Sequence, residues 1–165
     1  ENGKLATSGR IDFDILNRIK KNYTKKNIKF SVYNNNDKNI ESTKQSFDIK
    51  EFDGSFAKDL SLEDGAATLT KVTYEDLLPS LDFTKKFKCN LVLCGGGRKN
   101  KFLTGEIKKH GINYHLIDEY GIDGDFVESQ AFAYLAIRSY LKLPISFPET
   151  TGVNNPCTGG ITIKN

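Results

Sequence analysis

Three consecutive glycines, Gly95, Gly96 and Gly97, lie between an apolar run ending in Leu91 to Cys94 and the polar segment Arg98-Lys99-Asn100. A buried strand that runs into glycines and then into a helix brings bare backbone to the strand's C-terminal edge, because glycine has no Cβ and tolerates positive φ. Open α/β sheets bind their ligands at that edge, so the turn is a candidate nucleotide site, with an ordinary strand-to-helix turn as the structural alternative. The spacing matches neither GxGxxG nor GxxxxGK[ST], so neither a dinucleotide fingerprint nor a P-loop is read here. Asn100, at the head of the next helix, is either a ligand to that nucleotide or a helix N-cap.

Glu128 is the second candidate. It falls in the first turn of the segment Glu128-Ser129-Gln130-Ala131-Phe132-Ala133-Tyr134-Leu135-Ala136, one turn before Phe132 and Leu135, near the positive end of a helix. A carboxylate among apolar residues needs a partner, since an unpaired buried charge is expensive. That partner is either a polar ligand or the helix's own backbone, because Asp125-x-x-Glu128 also fits a capping arrangement. Asp118, Glu119, Asp123 and Asp125 gather after a strand but lack the calcium-loop pattern, so no dedicated metal site is predicted. His110 and His115 are each isolated. Cys89, Cys94 and Cys157 make an odd count without metal-ligand spacing and read as reduced thiols. No Ser/His/Asp or Cys/His arrangement for nucleophilic catalysis can be assembled.

These residues need elements to hold them. Asn2 to Gly9 reads as turn-like. Ile15, Leu16 and Ile19 recur at helical spacing after Asp12, which can cap a helix fading near Tyr23. Residues 24–44, rich in Lys and Asn, read as a mobile surface loop, and Phe47 and Phe52 are placed to fasten it to the core. Ser61 should cap a helix with Asp64 three residues on, and Pro79 should end either that helix or a short successor over Thr73 to Leu78. Phe87 to Cys94 is the expected central strand, Lys99 to His110 a helix, and Tyr114 to Ile117 a strand apolar on both faces, as in a sheet covered by helices. Asp125 to Leu141, apolar almost all round between Ala131 and Ile137, is expected to be a buried helix. Ile161-Thr162-Ile163 is a candidate edge strand. The sum is an α/β domain with a mixed central sheet flanked by helices on both sides.

At 165 residues the chain is of single-domain size and long enough to bury a core. Its 24 Lys+Arg against 21 Asp+Glu leave a formal charge of +3, too small to argue for nucleic acid, and the lysine pairs read as solvated faces. No apolar run approaches the ~20 residues of a membrane span. A cytoplasmic protein is the expectation. The chain opens at Glu1 and contains no methionine, which suggests a piece of something longer.

The order CGGGRKN, GIDGDFVESQAFAYLA, LP, FPETTG and GG, with Gly65-Ala66-Ala67-Thr68-Leu69-Thr70 and Asn2 to Gly9 upstream, resembles the C-terminal part of the anhydro-N-acetylmuramic acid kinases, sugar kinases of peptidoglycan recycling and amino-sugar catabolism. The resemblance implies the C-terminal lobe of an actin/hexokinase-type ATPase fold. It implies ATP against Gly95, Gly96 and Gly97 with Asn100 nearby, and sugar on Glu128, with Thr151-Gly152 either joining the sugar pocket or only turning the chain. The complete enzyme would use ATP and Mg²⁺ to open the 1,6-anhydro ring by water attack and phosphorylate O6. The catalytic base, the phosphate loop and most of the Mg²⁺ contacts are expected in an N-terminal half outside this chain, which alone should be inactive and dimeric or aggregation-prone. The alternative is a non-catalytic binding or assembly module descended from such a kinase. Gln45 stands where relatives place a lysine before the serine, so a charge contact made there would be lost.

Overall fold

A computed structural model describes residues 2–25, 53–161 and 163. Its spine is helix α3, Leu62–Lys86. The Ser61 side chain accepts a hydrogen bond from the N–H of Asp64 and starts the helix as the sequence predicts. Asp64 does not reach back to complete a capping box. Its carboxylate accepts the Arg10 N–H at 2.7 Å instead, which lowers its pKa and ties the N-terminal segment to α3.

The described body has two apolar clusters, one on each half of α3. In the first, Leu16 and Ile19 of α2 (Phe13–Lys25) are buried against Val72, with Ile15 and Phe56 alongside. The Asp12 carboxylate accepts the Ile15 N–H at 2.9 Å, so the predicted cap and the predicted helical face are both present. Thr68, fully buried, accepts the Asp12 N–H at 3.0 Å. In the second, Tyr74 and Leu81 of α3 enclose Ile107 of α4 (Lys101–Lys109) and Ile112, and Leu91, Leu93, Leu103 and Tyr114 pack against them.

Strand β1 (Leu91–Leu93) and strand β2 (Tyr114–Leu116) pair in parallel, Leu91 opposite Tyr114 and Leu93 opposite Leu116, with α4 as the crossover. This differs from the expected mixed sheet covered on both sides. The described sheet has two strands, and alternation decides its faces: Leu91, Leu93 and Tyr114 point into the helices while Val92 and His115 point to solvent. Ile161 and Ile163 form no strand and are almost fully exposed. β1 is also shorter than the predicted Phe87 to Cys94, because Lys88 turns at φ 52° and breaks the extended run.

Three further expectations are corrected. Asn2 to Gly9 contains a short helix, α1 (Lys4–Ser8), capped at Gly3 with φ 75° and anchored by buried Ala6. Gly9 passes so close to α3 that an added Cβ would stand 2.0 Å from the Glu63 carbonyl oxygen. Pro79 does not end α3, since burial of Leu81 in the second cluster carries the helix one and a half turns beyond it. Helix α5 (Val127–Tyr140) is exposed rather than buried, because the described residues cover only one side of it. That cover is the C-terminal segment: Arg138 Nε donates to the Pro144 carbonyl at 2.7 Å and the Ser139 hydroxyl donates to the Gly159 carbonyl. A short helix, α6 (Pro148–Thr151), follows, capped at Gly152 with φ 74°. The predictions for residues 26–52, including Gln45, Phe47 and Phe52, lie outside the described residues.

Proline inside a helix forfeits the hydrogen bond to the carbonyl four residues back and crowds it, a penalty of about 3 kcal/mol that packing here offsets. Pro79→Ala is therefore expected to stabilise the chain by about 1–3 kcal/mol, read as a higher midpoint of urea unfolding. A lowered midpoint would mean that the proline ring's own packing outweighs the bond it removes.

Candidate functional site

The glycine turn joins β1 to α4 at the C-terminal end of the parallel pair. Gly95 sits at φ 69° and ψ −179°, a conformation closed to residues with a side chain, and a 3₁₀ turn over Gly96–Lys99 follows. A Cβ added at Gly95 or Gly96 would meet nothing within 4 Å, so the backbone here is uncovered. Asn100 is the N-cap of α4: its Oδ1 accepts the N–H groups of Phe102 at 3.1 Å and Leu103 at 3.2 Å. Its amide nitrogen is not used in the cap.

Asn2, Gly3, Gly96, Gly97, Lys99 and Asn100 line an open cleft of about 630 Å³. The part played by Asn2 and Gly3 was not predicted from the sequence. Lys101 donates its N–H to the Asn2 carbonyl at 3.1 Å, and a Cβ on Gly3 would fall 2.2 Å from Asn100 Oδ1. Their signal was the Asn-Gly pair itself, both members at positive φ.

Arg98 fixes this turn in place. Its side chain is 4% exposed. Nε and one terminal nitrogen grip the two Asp118 oxygens at 2.7 and 2.9 Å, and the other terminal nitrogen donates to Asp125 at 2.7 Å and to the Gly95 carbonyl at 3.0 Å. Gly124 closes over the guanidinium, where a Cβ would come within 2.4 Å of Nε, and its carbonyl accepts the Gly95 N–H at 3.0 Å. The acidic group read from the sequence thus has its cation within the protein. Asp118 and Asp125 hold Arg98, Asp125 also pairs with Lys99, and Glu119 binds His115 and the Leu116 N–H. Asp123 accepts the Asp125 N–H. Among the described residues no three His, Cys, Asp or Glu side chains converge on a metal position.

Glu128 lies in the first turn of α5, exposed, with no hydrogen bond or ion pair among the described residues. The capping alternative is not realised: Phe126 is the N-cap without a side-chain bond, and Asp125 is committed to Arg98 and Lys99. Thr151 and Gly152 do turn the chain, at the end of α6. His110 bonds Asp82 at 2.9 Å, away from His115, and the three cysteines are free thiols.

The fold and this turn define a helix-rich α/β chain with ligand-binding geometry at the carboxyl ends of two parallel strands. A family model described as anhydro-N-acetylmuramic acid kinase matches residues 1–164. The anhydro-N-acetylmuramic acid kinase of Pelagibacter ubique (strain HTCC1062) is 44% identical over 173 aligned positions, covering 100% of this chain and 42% of that protein. Those of Zymomonas mobilis and Methylorubrum populi are 41% and 34% identical, over 70% and 98% of this chain and 32% and 39% of their own lengths. The chain belongs to the anhydro-N-acetylmuramic acid kinase family. It spans about two fifths of the length of the curated relatives it matches along its whole length.

The bonds from Arg98, helped by the Gly124 N–H, hold the Asp118 carboxyl down at about 2. A depressed carboxylate pKa adds stability that is complete above the unfolded value, about 3.9, and lost as pH falls through the folded one. Denaturant melts should therefore show the chain weakening from about pH 4 to about pH 2. Asp118→Asn should be weaker at pH 6 and show a shallower acid slope. Parallel curves for the two proteins would remove Asp118 from the acid response.

Proposed function

We propose that this chain is the C-terminal, ligand-holding portion of a kinase that uses ATP to open the 1,6-anhydro ring of anhydro-N-acetylmuramic acid and phosphorylate O6. The observation that carries the reading is one of placement. Two parallel strands end at the same edge, one in the uncovered glycine turn and the other in the Asp118 to Asp125 loop that leads into Glu128, and Arg98 bolts the two together.

In this reading the adenosine part of ATP lies against the backbone of Gly95, Gly96 and Gly97, with the Asn100 amide nitrogen available to donate. Glycines suit that role because a ligand can approach the main chain without meeting a Cβ. Glu128, ionised and unpartnered, accepts hydrogen bonds from sugar hydroxyls. The described acids around the turn are already committed to Arg98, Lys99, His115 and backbone N–H groups, so they do not suit Mg²⁺, which belongs with the rest of the kinase. The base that activates water and the loop that holds the phosphates belong there too. Phosphoryl transfer depends on positioning and charge stabilisation from both sides of the cleft. The chain on its own should therefore bind without turning over. The lobe would be that of an actin/hexokinase-type ATPase. No described helix is long and apolar enough to cross a membrane, and a cytoplasmic location follows from the reading.

The test joins this chain to the part of the Pelagibacter ubique kinase that lies outside their alignment. Sugar-dependent ADP release is expected from the joined protein and not from the chain alone. In the joined protein Glu128→Gln should lower kcat/KM for the sugar about tenfold to a hundredfold, the equivalent of losing a charge-assisted bond of roughly 1–3 kcal/mol, with the KM for ATP unchanged. Unchanged sugar kinetics would take Glu128 out of the site, and release of ADP by the chain alone would defeat the division of roles.

A further inference from the structure

Helix α5 is the least expected surface on the molecule. Its 14 residues carry two charged side chains, Glu128 and Arg138. Phe132, Tyr134, Ile137 and Tyr140 are 64%, 59%, 60% and 71% exposed. At about 100° per residue, with Phe132 as origin, Tyr140, Ile137 and Tyr134 fall near 80°, 140° and 200°. The apolar surface therefore wraps more than half of the helix. The remaining sector holds Leu135, Arg138 and Ser139, which are partly buried, and it is the side that the C-terminal segment covers through Pro144 and Gly159.

We infer that the α5 surface bearing Phe132, Tyr134, Ile137 and Tyr140 is the docking surface for the rest of the kinase polypeptide, the portion that the relatives carry beyond their alignment with this chain. This rests on the kinase reading above. Two observations select that occupant. An arc of about 200° is twice the ~100° stripe by which a helix seats on one neighbouring layer, so the covering body must approach from more than one side. Pairing with a second copy through one helix seam would leave half of the arc in water. A body of sufficient size is at hand, because the aligned region makes up 42% of the Pelagibacter ubique kinase. Exposed apolar surface of this extent marks an interaction site in a soluble protein. The same helix begins with Glu128, so docking along α5 would also bring the covering body to the sugar-binding carboxylate.

The test reads burial directly. Cys89, Cys94 and Cys157 are exposed and free, so all three are replaced by serine. Ile137→Cys is then introduced, with Tyr134→Cys as a second probe and Lys58→Cys as a control on the opposite end of the described chain. Thiol labelling rates are measured for the chain alone and in its co-purified complex with the non-aligned part of the Pelagibacter ubique kinase. Labelling at 137 and 134 is expected to slow at least tenfold in the complex, and that at 58 to change by less than twofold. A complex that phosphorylates sugar but leaves 137 and 134 as reactive as before would overturn this inference and leave the kinase reading standing. Protection without phosphorylation would do the reverse. Slower labelling of the chain alone as its own concentration rises would assign the surface to a second copy, and failure of the two parts to associate would overturn both.

Discussion

The structure around the candidate site depends on one buried guanidinium. Arg98 is held by two carboxylates and a carbonyl, and the geometry uses what only arginine offers: a planar fork that grips both oxygens of Asp118 while a third nitrogen serves Asp125 and Gly95. A lysine could carry the charge but could not make the fork. The pairing also explains a glycine. Gly124 lies flat on the guanidinium, and any side chain there would drive into it. A buried charge is costly when unpaired, so the fold is committed to keeping Asp118 and Asp125 ionised and in place.

Arg98 matters because the sheet is small. Three-residue strands give a parallel pair little hold on the loops that leave it, and the loops here carry the chemistry. By reaching from the turn after β1 to the loop after β2, Arg98 adds a polar cross-tie at the end of the sheet, joined by the Gly95 to Gly124 backbone bond. Asp125 is three residues before Glu128, so the nucleotide-facing turn and the start of α5 share one anchor. On the other side, the docking of Asn2 and Gly3 on the head of α4 places a second wall beside the same glycines. The site is thus assembled from three separate stretches of chain, each fixed by polar contacts rather than by the apolar clusters on α3.

What could be read from the sequence was local. Asp12, Ser61 and Asn100 are short polar side chains ahead of helical patterns, and each caps the helix it precedes. The strand, glycine turn and helix came through because glycines leave few alternatives. Arg98 did not, since an arginine in Arg-Lys-Asn resembles a solvated charge until a partner 20 residues away is seen in space. The acidic group was read as four like charges, although two of them serve that arginine. Pro79 was taken for a helix end because propensity was weighed without the burial of Leu81, and α1 was missed because its single buried residue, Ala6, gives no periodicity. The mixed sheet failed for a different reason. Alternation in β1 and β2 is real, but it describes one covered face and one open one.

The exposure of α5 and the openness of the glycine turn belong to the same physical condition. A carboxylate meant to bind sugar hydroxyls is weak in open water, because water competes for the same bonds, and it becomes selective only where solvent is excluded. Backbone meant to receive a nucleotide is likewise uncovered here on its Cβ side. The sequence places an almost uncharged, aromatic-rich helix directly after Glu128, and such a helix is poorly suited to remain in solvent. Covering its apolar arc supplies association energy, and the body that does so arrives beside the carboxylate at its start. Closure of the site and burial of α5 are then one event, in which apolar burial drives the assembly and the polar groups held by Arg98 give it chemical purpose.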